Sequence, residues 1–205
     1  MDVVPVTLEG EHVRLESLDL ERHFAGLCEV GLDPELWRWT IAAMRTPEDL
    51  RGYLETAVRE RTEGRSLPFA TIDRATGKPI GSTRFGNIDR ENRRAEIGWT
   101  WLGRSFWRTA ANTEAKLLML THAFETWHTM RVELKTNALN ERSRAAILRI
   151  GAKEEGIFRK HMVTESGARR DSAYYSIIDD EWPVVKIGLQ QKLASHRESA
   201  PRGSG

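Results

Sequence analysis

One cysteine, Cys28, stands in 205 residues, which leaves neither an internal disulfide nor a multi-cysteine zinc site. Nowhere does the chain hold an apolar run near the roughly 20 residues that cross a bilayer. A dominant charge is missing too: 31 Lys and Arg face 30 Asp and Glu, for a formal net charge of +1. The two signs are interspersed without a basic arm, so no nucleic-acid partner is expected. Met1-Asp2-Val3-Val4-Pro5 lacks the positive-then-apolar order of a secretion signal. A cytoplasmic protein with no membrane partner is the expectation. Aromatics, by contrast, are plentiful: seven Trp, six Phe and three Tyr can fill a core and exclude intrinsic disorder. The length suits one domain over residues 1–194, with the Ser-, Arg-, Pro- and Gly-rich residues 195–205 as a flexible tail.

The order of elements follows from periodicity. Val13–Leu18 alternates as a strand, and Asp19 caps a helix over Leu20–Cys28. Thr46-Pro47-Glu48-Asp49 opens a helix that runs to about Glu63 and stops at Gly64. Strands follow at Leu67–Asp73, Ile80–Phe85 and Ala95–Leu102. Leu117, Leu120, Phe124 and Trp127 then form one face of the most clearly patterned helix. Arg131–Thr136 returns to alternation, Glu141–Ile150 is a helix ending at Gly151, and Lys153–Val163 with Arg169–Ile178 make two last strands around a turn. Asp179-Asp180-Glu181-Trp182-Pro183 reads as the start of a terminal helix that packs Trp182. Its crowded carboxylates lack a His or a second ligand group, so no metal is expected. The series gives a mixed α/β sheet with a helix crossing between neighbouring strands in its middle.

Two strand-to-helix junctions stand out. Gly103 to Glu114 leads from one strand into the strongest helix, and a helix start offers unpaired N–H groups and partial positive charge to an anion. Arg104 and Arg108 add cations suited to phosphate oxygens, and Ala110 and Ala111 allow close approach to the backbone. Asn140-Glu141-Arg142-Ser143 opens the next helix, with Asn140 as its N-cap or as a ligand contact. Consecutive junctions of this kind lie at one end of the sheet, where open α/β sheets bind ligands.

Ala95-Glu96-Ile97-Gly98-Trp99, Trp107-Arg108-Thr109-Ala110-Ala111-Asn112-Thr113-Glu114-Ala115-Lys116 and Asn140-Glu141-Arg142-Ser143 together resemble the GNAT superfamily of N-acetyltransferases. The likeness is greatest to the ribosomal-protein N-terminal (RimJ/RimL-like) branch and extends over about residues 7–190 in element order. It implies a mixed, mostly antiparallel seven-stranded sheet, splayed in the middle and flanked by about four to five helices. It also implies acetyl-CoA as donor and coenzyme A as product. By the same resemblance Trp99, Trp101 and Leu102 present backbone groups to the pantetheine arm. Arg104, Arg108, Thr109, Ala110, Ala111, Asn112 and Thr113 surround the pyrophosphate, and Asn140 and Ser143 line the other wall. The sequence departs from the family pattern at Trp107, Ala110 and Asn112, which replace Gln or Arg, Gly, and a small residue. Charge at the pyrophosphate must then come from Arg104 or Arg108. Ile147 stands where many members carry a Tyr as general acid, leaving water or a hydroxyl such as Ser143 for that role.

The expected reaction is attack of a primary amine on a thioester in a ternary complex, which needs a base for the amine. Glu96 is the first candidate; its alternative is a carboxylate paired with Arg84, Arg93 or Arg94. His161 is either a second base or acceptor contact, or a hydrogen-bonded strand residue. Trp37 and Trp39 either wall the acceptor or pack over the sheet, and either Tyr174 or Tyr175 could donate a proton. Cys28 is expected to be an ordinary packed residue, since no acyl-enzyme is required. Acceptors in view are small-molecule or peptide amines, and the protein is a monomer or a homodimer. The competing reading is a non-catalytic acyl-CoA-binding sensor or scaffold.

Overall fold

In a computed structural model, residues 1–199 are described, and their strands form one open sheet. The strands are β1 (Leu8–Glu9), β2 (Val13–Ser17), β3 (Leu67–Asp73), β4 (Pro79–Asp89), β5 (Arg94–Leu102), β6 (Arg131–Asn137), β7 (Lys153–Val163) and β8 (Arg169–Ile178). Their order is β1-β2-β3-β4-β5-β6-β8-β7, eight rather than the expected seven, because the two-residue β1 pairs with β2. The helices are α1 (Leu20–Gly31), α2 (Pro34–Trp37), α3 (Pro47–Thr62), α4 (Ala110–Thr121), α5 (Glu141–Arg149) and α6 (Trp182–Ser199). Of the expected tail, residues 195–199 continue α6, and 200–205 lie outside the described residues.

Local chemistry sets the helix starts. Asp19 caps α1, and Thr46 with Asp49 forms a reciprocal capping box on α3 behind Pro47. Thr109 caps α4 through the Ala111 N–H, and Asn140 caps α5 through the Ser143 N–H. Glu114, one turn into α4, accepts the N–H groups of Glu11, His12 and Val13 at 2.9, 2.6 and 2.7 Å. That carboxylate fastens the β1–β2 turn to α4 and leaves three buried or half-buried donors satisfied.

All strand pairs are antiparallel among the described residues except β5 with β6, which a helical crossover makes parallel. That pair extends only over Arg94–Arg131, Ala95–Val132 and Glu96–Glu133. Beyond it the strands part. On the β4 side, Ser82 opposes Trp101 while Arg84 opposes Gly98, so β5 carries one extra residue. The extra length falls at Trp99, whose φ of 49° is a left-handed conformation costly for a bulky side chain. A bulge increases local twist, and here it turns the second half of β5 away from β6. Ile97–Leu102 therefore has β4 on one edge and no strand on the other.

Two cores cover the two faces. One joins β2–β6 and β8 to α4, α5 and α6 through Phe85, Ile97, Met119, Leu120, Leu134 and Tyr175. The other sets α1, α2 and α3 against β3 and β5 through Leu27, Trp37, Leu50, Leu54, Ile72 and Trp101. No described helix is long and apolar enough to cross a membrane.

Candidate active site

The gap between β5 and β6 is flanked by the starts of α4 and α5. Arg108 precedes the α4 cap with φ 62°, a second costly conformation beside the gap, and is exposed without an ion pair among the described residues. Thr109 is exposed, Ala110 and Ala111 are buried, and Asn112 is half-buried. Thr113 is fully buried, and its hydroxyl accepts from Arg149 Nη2 at 2.7 Å, so it faces α5 and not solvent. Arg104, exposed, lies 3.6 Å from Asp33. Trp107 folds back so that its Nε1 donates to the Leu102 carbonyl at 2.8 Å, tying the loop to the end of β5. The Arg142 guanidinium lies 3.7 Å from the centre of the Trp107 ring. This stack joins the first turn of α5 to the loop before α4 and adds a cation beside Arg108. Arg142 was missed in the sequence, although a cation in a helix's first turn is disfavoured by the dipole and is a legible sign of anionic company. Asn140 and Ser143 are half-buried, with Asn140 Oδ1 holding the Ser143 N–H at 3.1 Å. Ile147 is buried.

On the face that carries α3, polar side chains form a connected row across the parted strands. Glu96, 3% exposed, accepts from Lys135 Nζ and Asn87 Nδ2, each at 2.8 Å. Its partner is thus Lys135 from β6, not Arg84, Arg93 or Arg94. Arg84 instead reaches Glu60 of α3 at 3.0 Å, and Arg94 pairs with Asp89 and Glu133. Gly98 makes room for the carboxylate: a Cβ there would stand 2.9 Å from Glu96 Oε1. The Trp99 ring lies over Gly86, where a Cβ would approach it to 2.4 Å, with Arg84 and Lys135 4.9 and 5.8 Å from its centre. Lys135 also lies 5.7 Å from the Tyr174 ring. Tyr174 Oη meets His161 Nε2 at 3.4 Å, and His161 Nδ1 meets Ser172 Oγ at 3.1 Å. Burial first, then Lys135 and Arg170, hold the His161 imidazole below its usual pKa, so the ring favours the neutral form. Burial pushes the Tyr174 phenol up.

The remaining expected site residues go elsewhere. Trp37 is buried in the second core, its Nε1 donating to the Gly31 carbonyl at 2.7 Å, with Tyr53 and Trp101 rings each 5.5 Å away. Trp101 points its side chain into that same core. Trp39 is half-buried and lines a hollow of about 250 Å³ with Glu35, Leu139, Asn140, Glu141 and Arg142, beside the opening of α5. Tyr175 points into the main core, its Oη accepting from Arg144 Nε at 2.9 Å. Cys28 is half-buried, and burial raises its thiol pKa.

A sheet parted at its parallel pair, two helix openings beside the gap and a polar row around one buried carboxylate make the kind of strand-end crevice at which open α/β sheets bind ligands. Residues 12–153 match the family model of the acetyltransferase (GNAT) domain. The Bacillus subtilis (strain 168) protein named "Putative ribosomal N-acetyltransferase YdaF" is 37% identical over 186 residues, covering 86% of this chain and 97% of that one. A crystal structure of a GCN5-related N-acetyltransferase from Brucella melitensis superposes with a TM-score of 0.86 at 33% identity, over 93% of this chain and 86% of that one. Mycobacterium smegmatis RimJ, solved in complex with CoA-disulfide, shares the fold with a TM-score of 0.79 at 23% identity, over 95% and 97% of the two chains. The chain belongs to the GNAT acetyltransferase family. It is an N-acetyltransferase, and the family draws its acyl group from acetyl-CoA.

The residues present suit that donor. Ile97–Leu102 offers an unpaired strand edge to an amide-bearing arm, and first-turn N–H groups of α4 with Arg108 and Arg142 offer partners to phosphates.

Proposed function

We propose that this protein transfers an acetyl group from acetyl-CoA to a primary amine by direct attack in a ternary complex. The observation that carries the reading is the placement of Glu96. It is buried on the edge of the gap, in the last residue pair that joins β5 to β6, and on the face opposite α4. The helix openings would hold the phosphates, with Arg108 and Arg142 as cations, and the β5 edge would hold the pantetheine arm. The bound donor supplies an activated acyl group. The amine enters over the row formed by Asn87, Glu96, Lys135 and Tyr174. Glu96, ion-paired with Lys135 at 2.8 Å, orients the incoming ammonium and takes its proton, directly or through a water. The acceptor is a small-molecule or peptide amine; the similar proteins include one named a ribosomal N-acetyltransferase and one named a ribosomal-protein-serine acetyltransferase. A monomer or homodimer with a cytoplasmic location fits this role.

The experiment is a two-part assay. Acetyl-CoA at 100 times its dissociation constant should stabilise the fold by about 2.7 kcal/mol, and a panel of amines should release free thiol. Glu96→Gln should lower turnover at neutral pH while coenzyme affinity stays near wild type. Binding without thiol release for any amine would favour a sensor or scaffold instead, and unchanged turnover in Glu96→Gln would remove Glu96 as the base.

A further inference from the structure

Lys116 lies on α4, one and a half turns below its opening, and is 5% exposed. Its Nζ donates to Thr100 Oγ1 at 2.7 Å and reaches Thr83 Oγ1 at 3.4 Å, and these two hydroxyls are 2.7 Å apart. No carboxylate lies within ion-pair distance of it among the described residues. The charged and titratable groups on and around α4 are committed elsewhere. Glu114 holds the β1–β2 turn, Arg149 of α5 holds Thr113, and Glu125 holds Trp182 and Lys186 of α6. His122 packs against Phe85 and Trp127. A buried ammonium with only hydroxyls around it is an expensive feature for packing to retain. Thr100, in contrast, is exposed although it sits in mid-sheet, because it follows the Trp99 bulge on the stretch of β5 that has lost β6. Its hydroxyl therefore joins the buried amine to the gap.

We propose that Thr100 and Lys116 form a proton relay for the departing sulfur. The inference rests on the acetyl-transfer reading above and fills the role that Ile147 cannot. As the amine nitrogen bonds to the thioester carbon, its proton passes to Glu96 or water. The C–S bond then breaks, the sulfur keeps the electron pair, and it takes the Thr100 hydroxyl proton to become a thiol. Thr100 regains a proton from the Lys116 ammonium, which is left as a neutral amine and recharges from solvent between turnovers. Thr100 is the catalytic residue here, and Lys116 is the positioning residue behind it. Burial pushes the Lys116 amine down to about 7, where a proton donor for a thiolate works best near neutral pH.

The test uses the full chain with coenzyme A, amine acceptor, and the variants Lys116→Met, Thr100→Val and Thr100→Ser. Thiolate ultraviolet absorbance of bound coenzyme A measures the thiol's titration, and lysine-labelled NMR measures that of Lys116. With Lys116→Met the bound thiol should titrate at least about one pH unit higher, since the ammonium no longer favours thiolate. Turnover should drop on the order of 100-fold in Lys116→Met and Thr100→Val, with the KM for acetyl-CoA little changed and the basic limb of the pH–rate profile displaced. Thr100→Ser should restore both. Thr100→Val keeps the charge and the shape, so it answers the question even if Lys116→Met folds poorly. Wild-type turnover with an unmoved basic limb in Thr100→Val would overturn the relay alone, as would wild-type thiol titration in a folded Lys116→Met. A wild-type protein that neither binds coenzyme A nor releases thiol would overturn the acetyl-transfer reading with it.

Discussion

Replacing Lys116 by Met should make the protein more stable at neutral and lower pH, by an amount that shrinks as pH rises. The reason is the environment of the amine: 5% exposed, bonded only to threonine hydroxyls, and pushed from the usual 10.5 down to about 7 by burial alone. The folded amine gives up its proton near pH 7, whereas the unfolded one keeps it to about 10.5. Between those values the unfolded chain binds more protons, so unfolding free energy increases with pH across that window. Below pH 7 both states are protonated and the folded state carries the whole cost of the dehydrated ammonium. At 1.36 kcal/mol per pH unit, that cost is about 5 kcal/mol. Met has similar length and no charge, but it removes the Nζ donor from Thr100 and Thr83 and leaves them each other, the Gly98 carbonyl and Met119 Sδ, which returns about 1–2 kcal/mol. The net gain expected at pH 6 is therefore about 3 kcal/mol, fading above pH 9. Urea unfolding of both proteins at pH 6, 8 and 9.5 measures the difference, and titrations common to the two chains cancel. A difference that stays flat with pH, or a Met variant less stable at pH 6, would refute the reasoning.

Arg142→Ala removes both the cation and its stack on Trp107, and should weaken coenzyme A about tenfold. Affinity for a pantetheine fragment without phosphates should change little; equal loss for both ligands, measured by calorimetry, would show that Arg142 only supports the loop. Glu114→Ala strips the acceptor from three N–H groups at residues 11–13 and should cost about 3–5 kcal/mol in urea unfolding. A cost under about 1 kcal/mol would mean that water replaces the carboxylate there.

The strands were legible because their patterns are clean. Leu67–Asp73, Lys153–Val163 and Arg169–Ile178 have the expected bounds, and Gly64 and Gly151 take positive φ where the sequence stops a helix. What escaped was decided by tertiary packing. The two-residue β1 carries no period to detect. α2 is only four residues long, yet Asp33 followed by Pro34 is a cap-and-start signal that reading at this length passes over. Trp37 and Trp39 look alike in sequence, but one enters the core between Tyr53 and Trp101 while the other reaches the α5 opening. Lys116 sits beside the stripe through Leu117 and Leu120, which makes it look solvated. In the fold a second stripe, Ala111, Ala115 and Met119, is buried as well. With α4 covered on two sides, between the sheet and α6, the lysine is enclosed. Likewise the chain contains the helix-opening motifs, but the Arg142–Trp107 stack that joins them depends on two loops meeting in space.

Three costly features meet at one place in this molecule. Among the described residues, Trp99 and Arg108 hold left-handed backbone, a strand edge is left without its neighbour, and the Lys116 amine is buried without a carboxylate partner. A sheet selected for stability alone would pair β5 with β6 along its length and put a small apolar residue at 116. Each cost has a distinct use in acyl transfer. In the proposed reaction the bulge opens the sheet so that a thioester would lie against backbone, the Arg108 turn would present the α4 opening, and the lysine would store a proton behind Thr100. In that reading, binding the donor offsets one of the three by pairing the edge, but it brings no fixed negative charge to Lys116. In the proposed relay only the leaving sulfur does so, which would place the lysine in the chemical step and not in the resting complex.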